Sequence, residues 1–161
     1  MPVVLRHSPE LDLNVVEYHG AMTLAELKAL AAFQAQNPVH LQRDALTIVL
    51  PDADFGAVDL DALDALFARY RAMFAPLAFQ FLRRSAWLCF SENARAHVDY
   101  WVNGRDTRSS MSSAVRSFDS FAEAADWLVL TKEEAALLES RESFEEVVRY
   151  EIPIRLVRAA L

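Results

Sequence analysis

Hydrophobic and polar positions follow two different periods along this chain, and the changes of period predict the order of its elements. Residues 3–5 and 13–18 are short apolar, β-branched runs typical of strands, and the turn-forming residues between them predict an antiparallel hairpin. Residues 46–50 form a continuous apolar run, which is typical of a strand covered on both faces. Two further strands are predicted at residues 86–90 and 113–118.

Helices are predicted between these strands by apolar residues at steps of three and four and by N-capping signals. Thr23 with Glu26, and Ser120 with Glu123, form capping boxes in which each side chain satisfies a backbone N–H of the other residue. Ser91 predicts a further helix start. The clearest helical face consists of Leu60, Leu63, Phe67, Tyr70 and Phe74.

The resulting order, ββαβαβαβα over residues 1–130, predicts an α/β domain. Right-handed crossovers join such strands into a mostly parallel sheet flanked by helices, and the hairpin adds one antiparallel edge. Residues 131–161 form a predicted C-terminal extension, in which one or two acidic helices begin at Thr131 and Ser143. Alternation over residues 148–156 then predicts a strand that Pro153 restricts to an edge. We expect this strand to pair with a sheet edge of its own subunit or of a second one.

Composition and charge narrow the classes of partner. The 161 residues are enough for a self-sufficient core, and their net charge of −7 argues against nucleic acid as a partner. The single cysteine, Cys89, allows no intrachain disulfide and no cysteine-based metal cluster. Because no apolar run is long enough to cross a bilayer and no leader is recognisable, we expect a cytoplasmic protein without membrane insertion. The 14 arginines against 2 lysines indicate a bacterial genome.

The aspartates that follow the third predicted strand are the main candidate for chemistry. Asp52-Ala53-Asp54 is similar to the Asp-x-Asp of phosphatases that form an aspartyl-phosphate, but the two lysines of the chain stand in no recognisable phosphate-binding setting. A calcium loop counted from Asp52 would place Gly56 at its fifth position, whereas the motif requires glycine at the sixth. Turn formation, and capping of the next helix by Asp59, account for the same residues. We therefore expect no enzyme activity here.

The remaining residue types also form no catalytic or cofactor-binding pattern. The four histidines have no mutual spacing of three or four residues that would place two metal ligands on one helix face. His97 shares a helical face with Trp101, and ring packing is a better interpretation than general-base catalysis because no nucleophile is placed near it in sequence. The three glycines are isolated, so a glycine-rich phosphate loop is excluded. The expectation is no catalytic residue, no metal and no cofactor.

The stretch VRSFDSFAEAADWL, residues 115–128, and the triplet Asp54-Phe55-Gly56 carry a resemblance to a known family. With the hairpin and the succession of βα units, they resemble the SpoIIAA-like bacterial branch of the STAS superfamily, which is related to anti-sigma factor antagonists. The resemblance implies a SpoIIAA-like sheet and a non-catalytic role in protein interaction or regulation. Its regulatory members are phosphorylated on a serine at the helix after the third strand. Residues 48–84 contain no serine or threonine, so that switch cannot operate here.

Two functions are therefore expected as alternatives. In the first, an interaction loop contacts an unidentified protein partner, and the module self-associates, for example as a homodimer. The second is a Sec14-like pocket for an apolar small molecule or lipid, indicated by the ten phenylalanines and by the neighbouring Sec14-like fold. A large apolar cavity would favour the second. The predicted interaction loop consists of Asp52, Asp54, Phe55, Gly56 and Asp59.

Overall fold

Six strands form one mixed sheet in the computed structural model, which describes residues 3–77, 83–103 and 113–152. The sheet order is β5-β4-β3-β2-β1-β6. Strands β2 to β5 are mutually parallel, and β1 is antiparallel to both β2 and β6. The predicted α/β class and the N-terminal hairpin are therefore confirmed. The strands are β1 Val3–Ser8, β2 Leu13–Tyr18, β3 Asp44–Val49, β4 Arg83–Cys89, β5 Ser113–Phe118 and β6 Glu145–Tyr150.

The helices lie between the strands largely as the capping signals predict. Asp59 Oδ1 accepts a hydrogen bond from Ala62 N at 2.7 Å, and the capping box at Thr131 is formed with both bonds present. A short helix that the sequence did not predict follows Pro38, at Val39–Gln42. A 3₁₀ turn at Ala75–Leu77 extends the longest helix. The helices are α1 Leu24–Gln36, α2 Val39–Gln42, α3 Leu60–Phe74, α4 Arg95–Asn103, α5 Phe121–Trp127 and α6 Lys132–Ser140.

Side chains of the central strands alternate between two covered faces of the sheet. The first face is covered by α1, α3 and α4, and residues on it include Val16, Tyr18, Val49 and Cys89. The second face is covered by α5 and α6, and residues on it include Val15, Leu46, Ile48, Ala86 and Leu88. The molecule thus has helices on both sides of the sheet, as the continuous apolar run of β3 predicts.

The C-terminal strand pairs with β1 of the same chain, in an antiparallel register with a shift between Leu5 and Arg6. It begins at Glu145, so the box-like start predicted at Ser143 does not open a helix. Ser143 Oγ is instead within 2.8 Å of Ser8 Oγ on β1. Helix α6 places Leu138 in the core of the second face. Pro153 and the end of the predicted strand lie outside the described residues.

Candidate functional site

The predicted interaction loop connects β3 to α3, and hydrogen bonds fix its backbone. Asp54 N donates to Gly20 O, and Asp54 O accepts from Met22 N, both at 2.8 Å. The Oδ1 atom of Asp54 accepts from Gly56 N at 2.8 Å, which closes a turn of the Asx type. Asp52 is exposed in the preceding turn. The two carboxylates of the Asp-x-Asp stretch are thus not assembled into a site; one is solvated and the other holds its own loop.

Phe55 differs from the other loop residues because it points into the core. It is buried, with its ring 5.4 Å from that of Tyr18 in an edge-to-face arrangement and 6.1 Å from that of His97 in a stacked one. Its side chain is therefore not available to a partner at the surface. Within residues 3–77, 83–103 and 113–152, no group of three or more histidine, cysteine and acidic side chains could hold a metal ion.

A cavity of about 120 Å³ lies next to Phe55, between the first face of the sheet and helices α1, α3 and α4. Strand residues form its floor, and aliphatic and aromatic residues of the helices form its roof. The floor includes Val16, Tyr18, Thr47, Ser85, Trp87 and Val115. The roof includes Leu30, Leu63, Leu66, Phe67, Tyr70 and Phe74. Most of the helical face predicted from residue 60 to residue 74 therefore lines a space in addition to packing on the sheet.

Two hydroxyl groups stand on the floor of this cavity. Thr47 on β3 and Ser85 on β4 are both buried, at 5% and 6% exposure. The strands are paired in parallel with Ala45 opposite Ser85 and Thr47 opposite Trp87, so the two hydroxyls are diagonal neighbours on one face. Neither side chain has a hydrogen-bond partner within the described part of the chain. Each hydroxyl can therefore donate to, or accept from, a molecule in the cavity.

A tyrosine and a glutamine join two roof helices at the cavity. Tyr70 Oη on α3 donates to Gln34 Oε1 on α1 at 2.6 Å. Burial raises the pKa of Tyr70 well above its ordinary value. The phenol therefore stays protonated at neutral pH and remains a hydrogen-bond donor.

Arg83, the first residue of β4, is the charged group that reaches the cavity from the sheet. Its Nε donates to Arg43 O at 2.8 Å, and its guanidinium carbon lies 5.6 Å from the centre of the Phe74 ring. Burial lowers the pKa of Arg83, while the nearby Tyr70 and Asp44 raise it. An arginine keeps its charge at neutral pH despite such a shift. The guanidinium forms no ion pair with any carboxylate of the described residues.

His97 closes the other end of the cavity beside Phe55. Its Nε2 lies 2.8 Å from Val58 O. A carbonyl oxygen can only accept, so Nε2 carries the proton. The opposite ring nitrogen, Nδ1, is buried without a hydrogen-bond partner. The ring is held by its stacking on Phe55 and by this one bond. His97 is thus a packed residue as expected, but its stacking partner is Phe55 and not Trp101, with which it shares a helical face.

The cavity brings together residues that sequence reasoning did not group. Thr47, Ser85 and Arg83 come from neighbouring strands. Gln34 and Tyr70 come from two different helices and are 36 residues apart in the sequence. One signal was present in the sequence: the run of residues 46–50, treated above as continuously apolar, contains one hydroxyl, that of Thr47, at a position that must face a helix layer. A polar residue in a strand covered on both faces needs a partner, and here none is supplied by the described residues.

No protein-family model, no curated protein and no solved structure matches this chain. Helices of the described ranges fall short of the length and apolar character required to span a bilayer. The geometry of the cavity is therefore the strongest guide to function.

Proposed function

We propose that the protein binds a small, largely apolar molecule in the cavity on the first face of the sheet, without catalysing its conversion. The observation that carries this proposal is a volume of about 120 Å³ lined mostly by aromatic and aliphatic side chains and open at the rim where Arg71 lies. Protein interiors are packed as densely as organic crystals, and voids larger than a water molecule are few. An engineered apolar cavity of about 150 Å³ is large enough to bind benzene. A space of this size is therefore suited to one ring or one short alkyl chain.

The cavity volume also favours one of the two ligand classes that the sequence analysis named, a small apolar molecule or a lipid. Pockets for drug-sized ligands measure about 300–1,000 Å³, so a two-chain lipid exceeds the present cavity several-fold. A compact ligand of about six to nine non-hydrogen atoms fits the space better. We accordingly propose that the protein is a carrier or sensor of a small molecule. The lipid expected for a Sec14-like pocket is not favoured.

The experiment uses the three tryptophans as reporters. Trp87 and Trp101 line the cavity, whereas Trp127 packs beside Phe118 on the second face. Titration of ¹⁵N-labelled protein with benzyl alcohol or indole is expected to shift the indole N–H signals of Trp87 and Trp101 and to leave that of Trp127 in place. Equal shifts of all three signals, or none at saturating probe, would overturn the proposal.

A filling variant gives the matched control. Leu66→Phe places a larger side chain into the cavity from α3, and is expected to abolish the shifts. Ala65→Phe introduces the same ring at the adjacent, exposed position and is expected to leave binding unchanged. Binding that survives in Leu66→Phe would place the probe elsewhere on the protein.

A second candidate function is the protein-interaction module that the STAS resemblance implies, including the finer SpoIIAA-like topology. The exposed surface around the interaction loop supports this second function. There Asp52, Asp59 and Leu60 are exposed on a backbone that hydrogen bonds hold in place, and a rigid surface loses little entropy on binding. Affinity capture from a bacterial lysate with wild-type protein and with Leu60→Arg tests it. A partner retained equally by both would argue against this surface, and light scattering tests the expected homodimer.

A further inference from the structure

Arg83 lies at one end of the cavity, and the direction of the elements shows which end. Helix α3 follows β3 and returns to the start of β4, so its last turn lies near the amino ends of the parallel strands. Phe74 of that turn contacts Arg83, and Tyr70 bonds to Gln34 there. At the carboxyl ends of the strands the lining is formed by Phe55 and His97. A ligand held along the cavity therefore meets the rings of Phe55 and His97 at one end and the guanidinium of Arg83 at the other.

Arg83 is the feature of this end that the fold itself does not explain. Half-buried arginines are ordinarily paired with an acidic group, because the loss of hydration of an unpaired charge is costly. Asp44, the carboxylate that influences it, forms no ion pair with it and accepts a hydrogen bond from Arg84 N at 2.7 Å. Among the described residues, the hydrogen bond of the Arg83 side chain is the one from Nε to Arg43 O. Within that part of the chain, the two terminal nitrogens keep their donors for another group.

The rest of the lining has the same sign of charge. Arg71 on α3 is the other strongly basic residue of the lining, and it lies exposed at the rim. No aspartate or glutamate is found among the described lining residues. Among the described lining residues, a cationic ligand would meet no carboxylate, whereas an anion would find two arginines.

Resting on the proposed function, we infer that the ligand is a small organic carboxylate, with its apolar body beneath α3 and its carboxylate group paired with Arg83. The planar guanidinium fork matches a carboxylate in a bidentate arrangement. Ser85 lies two residues after Arg83 on the same face of β4, about 7 Å along the strand, so its hydroxyl can donate to the same group or to an adjacent oxygen. A dianionic phosphate loses more hydration on entering so apolar a space, which favours the monoanion.

The test compares an acid with its neutral analogue. Dissociation constants of benzoate and benzamide are measured by calorimetry or by the tryptophan signals at pH 7.5. Benzoate is expected to bind wild-type protein at least about tenfold more tightly than benzamide, because a buried charge-assisted bidentate pair is among the stronger polar contacts. Benzylamine, of similar size and opposite charge, is expected to show no binding.

Two neighbouring arginines supply the matched variants. Arg83→Met is expected to reduce benzoate affinity at least about tenfold and to leave benzamide affinity unchanged. Arg84→Met removes the next arginine of β4, which does not line the cavity, and is expected to change neither affinity. Arg83→Lys, which keeps the charge but not the fork, is expected to give an intermediate loss.

The outcomes separate the inference from the function on which it rests. Equal affinity of wild-type protein for benzoate and benzamide overturns the carboxylate inference and leaves the apolar pocket intact. Absence of binding by either compound overturns the inference, and it overturns the proposed function as well if benzyl alcohol and indole also fail to shift the signals of Trp87 and Trp101. Unchanged benzoate binding in a folded Arg83→Met variant also overturns the inference. If Arg83→Met does not fold, the comparison of acid with amide in the wild-type protein still decides the question.

Discussion

The two faces of the sheet are built from the same strands but carry different kinds of residue. On the second face, β3 and β4 present Leu46, Ile48, Ala86 and Leu88, all fully buried against α5 and α6. On the first face, the same strands present Thr47, Ser85 and Trp87 to a cavity. Neighbouring residues of one strand thus differ in what they contact: one packs in the core of the second face, and the next lines the cavity on the first face. The second face forms a close-packed core, whereas the first face has a cavity with polar side chains in its lining.

The charged groups differ between the faces in the same way. Near the second face, the buried Glu17 pairs with Arg6 of β1, and Arg141 Nη2 lies 3.7 Å from its Oε2. On the first face, Arg83 has no acidic partner among the described residues. A polar group whose partner comes from the same chain contributes to folding, whereas one without such a partner is open to water or to the proposed ligand.

Truncation of one leucine on the second face should give the largest loss in the free energy of unfolding. Leu46→Ala deletes a fully buried side chain, and is expected to lower the free energy of unfolding by about 3 kcal/mol because it loses apolar burial and leaves a cavity. Urea denaturation followed by circular dichroism measures the change.

The adjacent residue on the first face is its matched comparison. Thr47→Val removes a hydroxyl without a described partner, and is expected to change stability by no more than about 0.5 kcal/mol. A loss in Thr47→Val equal to that of Leu46→Ala would show that the two faces contribute alike, and the distinction between them would fail.

The ion pairs give the next largest difference. Glu17→Gln leaves Arg6 and Arg141 without their shared carboxylate, and is expected to lower the free energy of unfolding by about 2 kcal/mol, since all three groups are mostly removed from water. Arg83→Met loses one hydrogen bond and no ion pair, so its expected cost is under about 1 kcal/mol. Equal costs in the same denaturation assay would mean that Arg83 is a structural residue.

The fold was predictable from sequence to the extent that its signals are local. The hairpin, the parallel core strands and the caps at Thr23, Asp59, Ser120 and Thr131 depend on residues within a few positions of one another. Helix α2 was missed because its four residues show no periodicity. The start of β6 was missed because Ser143 resembles a cap locally, while pairing with β1, more than 130 residues away, decides its conformation.

The candidate site was less predictable for a related reason. The aspartates of the β3–α3 connection attract attention as a cluster in sequence, yet Asp59 caps a helix and Asp54 closes a turn. Arg83, Ser85 and Thr47 carry no motif, because a cavity is assembled by strand order and helix packing. Only the position of Thr47 within an apolar strand indicated that a buried hydroxyl would need a hydrogen-bond partner.

Replacing the capping aspartate or the turn aspartate of the β3–α3 connection should change the free energy of unfolding by different, smaller amounts. Asp59→Ala removes the bond to Ala62 N at the start of α3 and is expected to lower the free energy of unfolding by about 1 kcal/mol. Asp52→Ala, at an exposed turn position, is expected to stay within about 0.5 kcal/mol of the wild type. Both are measured by thermal and urea denaturation. If Asp52→Ala proved the costlier change, the carboxylate would have a role that its position in the turn does not explain.

The smallest expected effect is a dependence of stability on pH that comes from the amino end of the first face. His40 of α2 lies there beside Asn14 of β2, and burial, then Arg43 and then His7, lower its pKa below the ordinary value of 6.5. A histidine whose pKa is lowered by folding binds its proton more readily in the unfolded chain. Its stabilising contribution is therefore complete above pH 6.5 and is lost as the pH falls through 6.5 towards the folded pKa.

His40→Gln should accordingly flatten the fall in melting temperature between pH 7.5 and mildly acidic pH, because the titrating ring is gone while an amide can still bond to Asn14. His19→Gln, which removes a histidine that lies beside Glu17 instead, serves as the control for the loss of a histidine outside the His40 region. An unchanged slope in His40→Gln would assign the acid sensitivity to other groups. The comparison also distinguishes the His40 region from the Arg83 region of the first face, since the charge of Arg83 does not titrate over this range.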